Sequence, residues 1–297
     1  MMDRRVLVTG ATGFIGGAVC RQLAAAGYTV HAVYRTAGRP PVPSLPVRTW
    51  HPHEGTDASM RQLVAEAAPE AIVHLAAHLA GPAGDGDVQA LVDGNVLLGA
   101  QLLAAATATG CRHVVTTGTY WEYLAGSQAV SLYAALKQAF APVVQYHCDA
   151  FGMRALTLTL YDTYGPGDPR GKFLSLLMDA AMTGVPLDAS DGLQQIDLVH
   201  VDDVARAYVE ALTHVRQVPA GTHATFAVRS GQAVSLREIA DAVAHALGRP
   251  VPVRWGARAR APRTFDRPPE LAALPGWQPR ITLEAGIATL LAPPADA

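Results

Sequence analysis

Tyr133 and Lys137 stand four residues apart in Tyr133-Ala134-Ala135-Leu136-Lys137, a spacing that stacks a phenol and an ammonium on one face of a helix. A lysine cation favours phenolate, so the pairing is expected to draw the tyrosine down from about 10 toward neutrality. A phenol tuned in this way exchanges a proton with a carbonyl or an alcohol. The same spacing also occurs in ordinary helices, where a tyrosine packs on a lysine stem, so the pair needs company. Upstream, Thr116-Thr117-Gly118-Thr119 closes a predicted strand, and parallel sheets present ligands beyond the carboxyl ends of their strands. Thr119 therefore offers a hydroxyl to the oxygen that Tyr133 would protonate.

A second group of residues has the chemistry of a phosphate cradle. Thr9-Gly10-Ala11-Thr12-Gly13-Phe14-Ile15-Gly16 lies between an apolar run, Val6-Leu7-Val8, and a helical pattern of Ile15, Val19 and Leu23. Gly10 and Gly13 permit a tight turn with backbone N–H groups close to a pyrophosphate, and Gly16 lets helix and strand pack closely. At the end of the next strand a carboxylate would hold a ribose 2′-hydroxyl. This chain has Tyr34-Arg35 instead, with Arg39 nearby, and a guanidinium suits a 2′-phosphate. The expected cofactor is NADP(H), favoured over NAD(H).

The elements that must position these groups follow from periodicity. Strand-like runs at residues 6–8, 29–33, 71–75 and 113–117 alternate with helical stretches, which implies βαβ units and a parallel sheet. The expected fold class is α/β, a Rossmann-type doubly wound parallel sheet with a smaller α/β C-terminal substrate lobe. The texture changes near Gly165, in YGPGDPRGK. Residues 1–164 are assigned to the cofactor domain, rejoined by about 196–226, and residues 165–195 and 227–297 to the lobe. One lobe helix is legible from a capping box, Ser235 and Glu238, and from Gly248 at its end. The Pro- and Arg-rich stretch 249–269 reads as loops.

Composition narrows the class. Of 297 residues half are hydrophobic and 16% charged, and 23 basic against 25 acidic side chains give a net charge of -2. Such a chain has no general field for nucleic acid or anionic lipid. Its apolar runs are interrupted before about 18 residues, so no membrane span is expected. Cys20, Cys111 and Cys148 lack metal or disulfide spacing. A cytoplasmic setting and no metal are the corresponding expectations. His74 and His200 read as satisfied structural histidines, Asp202 as a helix cap, and Trp255 and Trp277 as packing residues of the small lobe.

TGATGFIG, HLAA at His74 to Ala77, Asn95, TTGTYWEY, YAALK, DTYGPGD and LVHVDDVA occur in the order of the extended short-chain dehydrogenase/reductases. Over nearly its whole length the chain resembles this family of nucleotide-sugar epimerases, dehydratases and 4-ketoreductases. The resemblance implies Thr119, Tyr133 and Lys137 as the catalytic triad. It places cofactor contacts at Gly10, Thr12, Gly13, Phe14, Ile15, Gly16, Arg35, Leu75, Ala76, Ala77, Asn95, Thr117, Tyr133 and Lys137. Substrate contacts are expected at Thr119, Tyr120, Asp162, Arg170, Lys172, Gln194, Gln195 and Arg263, with Arg258 and Arg260 as further cations for a diphosphate.

Departures from the family pattern direct the choice within it. Sugar-nucleotide 4,6-dehydratases follow their hydroxyl residue with an Asp-Glu pair, whereas Thr119 is followed by Tyr120-Trp121, with Glu122 one place too late. Dehydration is thereby disfavoured. Asp162 and Ile196 stand where many epimerases carry Asn and Arg. The wording TGTYWEY, YDTYGPGDPRGK, QQIDLVHVDD and PGWQPRITLEAG is similar to reductases of NDP-4-keto-6-deoxyhexoses of the CDP-abequose synthase type. The implied reaction is NADPH-dependent reduction of a C4 ketone, with the proton from Tyr133. The alternatives are a 4-epimerase with retained NAD, a reductase of another ketone such as a flavonoid-like one, and a catalytically silent NADP(H)-sensing protein. The family also implies a homodimer.

Overall fold

The computed structural model describes residues 4–38, 41–79, 87–124, 128–261 and 263–292, and Arg39 lies outside them. Val6, Leu7 and Val8 have no solvent exposure, as expected of β1 (Arg5–Thr9), which is an interior strand of the sheet with a partner on each side. The chain continues through α1 (Phe14–Ala25), β2 (Thr29–Arg35), β3 (Thr49–His53), α2 (Asp57–Ala67) and β4 (Ala71–His74). Next come α3 (Val88–Val92), a π-helical turn (Asp93–Leu97), α4 (Leu98–Thr109) and β5 (His113–Thr119). A 3-10 turn (Tyr120–Tyr123) leads to α5 (Leu132–Phe151) and β6 (Arg154–Leu160).

With a later strand, β10 (His223–Val228), these strands form a seven-stranded sheet in the order β10-β6-β5-β4-β1-β2-β3. Every pairing in it is parallel. Strand order reverses between β1 and β4, and that reversal opens the crevice in which ligands of doubly wound sheets bind. One face is covered by α1 together with α7 (Val201–His214), the other by α2, α4 and α5. The helical run Val88–Thr109 reaches a membrane span in length and apolarity, which the interrupted runs did not suggest; half of it is buried, and it packs against α2 and α5.

A second layer holds β7 (Asp162–Tyr164), α6 (Phe173–Thr183), β8 (Leu187–Asp188), β9 (Gln195–His200), β11 (Ala233–Ser235), α8 (Leu236–Leu247), β12 (Val253–Arg254) and α9 (Leu283–Leu291). Its strands pair as β11-β9-β7 and β12-β8 around a separate apolar cluster. Ser235 and Glu238 form the capping box at the start of α8, and Gly248 (φ +64) ends it.

Several placements differ from the sequence reading: β7 and β9 pair in the second layer although they fall in the stretches 1–164 and about 196–226 assigned to the cofactor domain. Trp255 packs in the second layer, but Trp277 and Leu274 are buried in the core of the first. Trp277 is fixed there because its indole N–H donates to the Asp203 carbonyl at 3.0 Å. Asp202 is not the cap of α7: its own N–H donates to the His200 ring, which serves as the cap. The neighbouring Asp203, fully buried, accepts the N–H groups of Arg280 and Ile281 at 3.0 and 2.9 Å and pairs with Arg206.

Candidate active site

The turn after β1 is built around two close approaches. Gly10 adopts φ +76, and a Cβ there would lie 2.7 Å from the Ala76 nitrogen; a Cβ at Gly16 would lie 2.0 Å from the Gly10 oxygen. Glycine is required at both. The Ala76 N–H donates to the Thr9 hydroxyl at 3.2 Å, and that hydroxyl also meets His74 Nδ1 at 2.7 Å. The turns after β1 and β4 are thus tied together. Burial, aided by the Lys137 charge, pushes His74 down to about 3, so the ring is neutral.

Two cavities open along this seam. The larger, about 510 Å³, is lined by Gly10, Thr12, Gly13, Arg35, Leu75, Ala76 and Ala77. Tyr34, beside Arg35 in β2, also lines it, as do His53, His78, Asp93 and Gln101, which the sequence reading did not single out because they come near only through the β2–β3 pairing and the helical run after β4. The smaller, about 220 Å³, shares Gly10, Gly13, Leu75 and Ala77 with the first. It adds Phe14, Ile15, Gly16, Thr117, Thr119, Tyr120, Tyr133, Lys137, Arg170 and Lys172. The aromatic walls Trp121 and Tyr161 were also unforeseen.

Inside the smaller cavity Lys137 is 6% exposed and donates to the Thr117 carbonyl at 3.2 Å. Burial lowers it to about 8, and the Glu122 charge opposes that shift. The Thr117 hydroxyl donates to the His74 carbonyl at 2.8 Å and meets the Tyr208 hydroxyl at 2.7 Å, which fixes the end of β5. Tyr133 differs from expectation. Its phenol is held above its ordinary range, first by burial and then by Glu122, with Arg170 pulling the other way. The Lys137 nitrogen is 6.0 Å from the Tyr133 ring centre and is directed at Thr117, so its charge does not dominate the phenol.

Arg170 and Lys172 reach the cavity already paired. Arg170 forks onto Asp168 at 2.6 and 2.7 Å, donates to the Thr163 carbonyl and lies over the Phe14 ring. Lys172 meets Asp162 at 2.7 Å, and the other Asp162 oxygen accepts the Tyr120 hydroxyl at 2.5 Å. Lys137 and Lys172 are the only lysines in the chain, and both line this one cavity.

Other expected residues lie elsewhere. Asn95 is 1% exposed and is held by the backbone of His78 and the Leu91 carbonyl, so it braces the wall instead of lining it. Gln194 accepts from Ser190, and the Gln195 N–H donates to the Asp266 carbonyl. Arg260 is paired with Asp191 and Asp266, and Arg263 donates to the Ala129 carbonyl at 3.1 Å. None of these, nor Arg258, lines either cavity.

A nicotinamide dinucleotide fits what is present. Gly13 starts α1 with no capping side chain, which leaves N–H groups of the first helical turn for an anion at the junction of the two cavities. The glycine approaches provide the space, and Tyr133, Lys137 and Thr119 stand at the far end.

The profile of the NAD dependent epimerase/dehydratase family matches residues 6–226, and the chain belongs to that family. It is 31% identical to a UDP-glucose 4-epimerase of Mycolicibacterium smegmatis over 96% of each chain. A dTDP-4-dehydro-6-deoxy-D-allose reductase of Streptomyces is 28% identical over 84% of this chain and 83% of its own. A CDP-abequose synthase of Salmonella typhimurium is 26% identical over 78% and 77%. Among solved structures, the Thermus thermophilus UDP-glucose 4-epimerase in complex with NAD superposes with a TM-score of 0.82, at 25% identity and 97% coverage of both chains.

Proposed function

We propose that the protein reduces the C4 ketone of an NDP-4-keto-6-deoxyhexose with NADPH, in the cytoplasm and as a homodimer. The observation that carries this reading is the convergence of Thr119, Tyr133 and Lys137 on a cavity continuous with a second one whose β2 end presents Arg35. The relative that acts as a 4-dehydro-6-deoxy sugar reductase supports the substrate class. For the dimer, the support is the exposed apolar pair Tyr146 and Phe151 on α5, which packs against α4.

In this mechanism Arg35 binds the 2′-phosphate and the uncapped start of α1 binds the pyrophosphate. The bound cofactor supplies the hydride. Thr119 orients the ketone oxygen, and Tyr133, held in its protonated form, donates the proton as the alcohol forms. Lys137, fixed on Thr117, holds the ribose end of the site. The protonated phenol is the form that reduction of a ketone requires of this residue.

The test is cofactor oxidation against a panel of dTDP-, CDP- and GDP-4-keto-6-deoxyhexoses, followed by loss of reduced nicotinamide absorbance and NMR of the product. Stoichiometric NADPH consumption with a new C4 alcohol is the expected result. Conversion of a non-keto nucleotide sugar without net oxidation would make the protein a 4-epimerase, as its relative in Mycolicibacterium smegmatis is named. Tight NADPH binding with no turnover of either kind would favour the sensing role.

A further inference from the structure

Glu122 is a buried carboxylate, 6% exposed, that lines neither cavity and has no part in the mechanism above. It sits in the 3-10 turn between β5 and α5. Its Oε1 accepts the Thr119 N–H at 2.7 Å, and the Thr119 hydroxyl completes the reciprocal capping box. Its own carbonyl accepts the Gln138 amide of α5, so the turn is anchored to the helix that carries Tyr133 and Lys137. Trp121, one residue earlier, packs edge-on against the Tyr133 ring with centroids 6.5 Å apart. A Cβ at Gly118 would approach Glu122 Oε1 to 3.0 Å, so glycine leaves that side of the carboxylate free. No arginine or lysine forms an ion pair with Glu122 among the described residues.

We propose that Glu122 is a positioning residue of the site: its carboxylate fixes the turn that aims Thr119 into the cavity and stands as a buried anion behind Lys137 and Tyr133. This rests on the reading of Thr119, Tyr133 and Lys137 as the working groups. The charged and titratable groups acting on it or answering to it are Lys137 and Tyr133 of α5 and Tyr123 of its own turn, with Arg170 acting on Tyr133 from the opposite wall. Burial raises Glu122 to about 7, with the Thr119 N–H and the Lys137 ammonium working against that shift. The carboxylate therefore loses its proton close to neutrality. Its charge favours the Lys137 ammonium and disfavours a Tyr133 phenolate.

Because the chain has only two lysines, an NMR titration of protein labelled at the lysine side chains gives two resonances, separable with Lys172→Arg. Glu122→Gln keeps a carbonyl for the Thr119 N–H but removes the charge. The Lys137 midpoint, near 8 in the parent protein, is expected to fall by about one pH unit, with Lys172 unmoved. Glu122→Asp keeps the charge but shortens the reach, so the Lys137 midpoint should hold while kcat drops by about tenfold from a misaimed Thr119. An unchanged Lys137 midpoint in Glu122→Gln, or full kcat in Glu122→Asp, overturns the proposal. The titration needs no substrate, so it decides the charge role of Glu122 even if no keto sugar is turned over.

Discussion

The Lys172 ammonium lies 2.7 Å from the Asp162 carboxylate, so a cation that could meet a substrate phosphate is neutralised before any substrate arrives. Asp162→Asn removes the competing charge and leaves an amide that can still accept from Tyr120. The expected outcome is a KM for the nucleotide sugar lower by about three- to tenfold, with kcat nearly unchanged, since a freed charge-assisted contact is worth on the order of 1 kcal/mol. Steady-state kinetics at low salt would show it. A KM that rises instead would mean that the ion pair is needed to shape the wall.

Tyr133→Phe removes the proton donor and leaves the aromatic wall beside Trp121 in place. Turnover is expected to fall by about 10²- to 10⁴-fold, with NADPH affinity within about twofold of the parent. Fluorescence titration of NADPH alongside the kinetic assay separates the two effects. Full activity in this variant would exclude Tyr133 as the acid.

Arg35 lines the larger cavity at the end of β2 and should govern the choice between the two dinucleotides. Arg35→Asp is expected to weaken NADPH by about 10- to 100-fold and to leave NADH equal or tighter, as a carboxylate repels a phosphate and accepts a ribose hydroxyl. Calorimetric Kd values for both cofactors check this. Equal losses for the two would take the 2′-phosphate away from Arg35.

His74 makes stability pH-dependent with a definite sign. Its folded value, about 3, is below the ordinary 6.5, so between those limits the unfolded chain binds more protons than the folded one. Its stabilising neutral form is fully present above about 6.5, and stability is lost as pH falls toward 3, on the order of a few kcal/mol in total. His74→Gln, which takes up no proton, is expected to flatten the fall in urea midpoint between about pH 7 and about pH 4.5. If the slope stays as steep as in the parent, other histidines such as His51, His147 and His223 carry the effect.

Local signals in the sequence reached a long way into this molecule. The glycine turn, the strand ends at Arg35 and Thr119 and the Tyr133/Lys137 pair are contiguous motifs, and periodicity placed their elements. Three strands of the seven-stranded sheet, β3, β6 and β10, were missed, as were the short strands of the second layer: β3 reads Thr-Trp-His-Pro-His, with no apolar run, and becomes a strand only by pairing with β2. What sequence spacing could not show was partnership. Arg170, Lys172 and Arg260 looked like cations awaiting a diphosphate, and each has a carboxylate beside it; Asp162 and Asp168 stand in the DTYGPGD motif, but spacing alone did not pair them with a cation. Tyr133 was expected to be acidified by its lysine, but the burial of its own phenol and then the Glu122 charge decide the matter, with Lys137 directed at Thr117 instead, and all of these depend on three-dimensional packing.

The seating of Leu274 and Trp277 against α7, with Asp203 holding the N–H groups of Arg280 and Ile281, bears on how the protein is born. During synthesis the cofactor layer emerges first, but part of its core comes from a stretch near the other end of the sequence, Leu274 to Trp277, long after β1 has been made. Until residues 274–281 leave the ribosome, Asp203 is a charge without its two backbone donors, and the apolar groove on α7 lies open. The nascent chain must therefore carry an unfinished first layer through most of translation, exposed to chaperones, and its closure coincides with completion of the second layer.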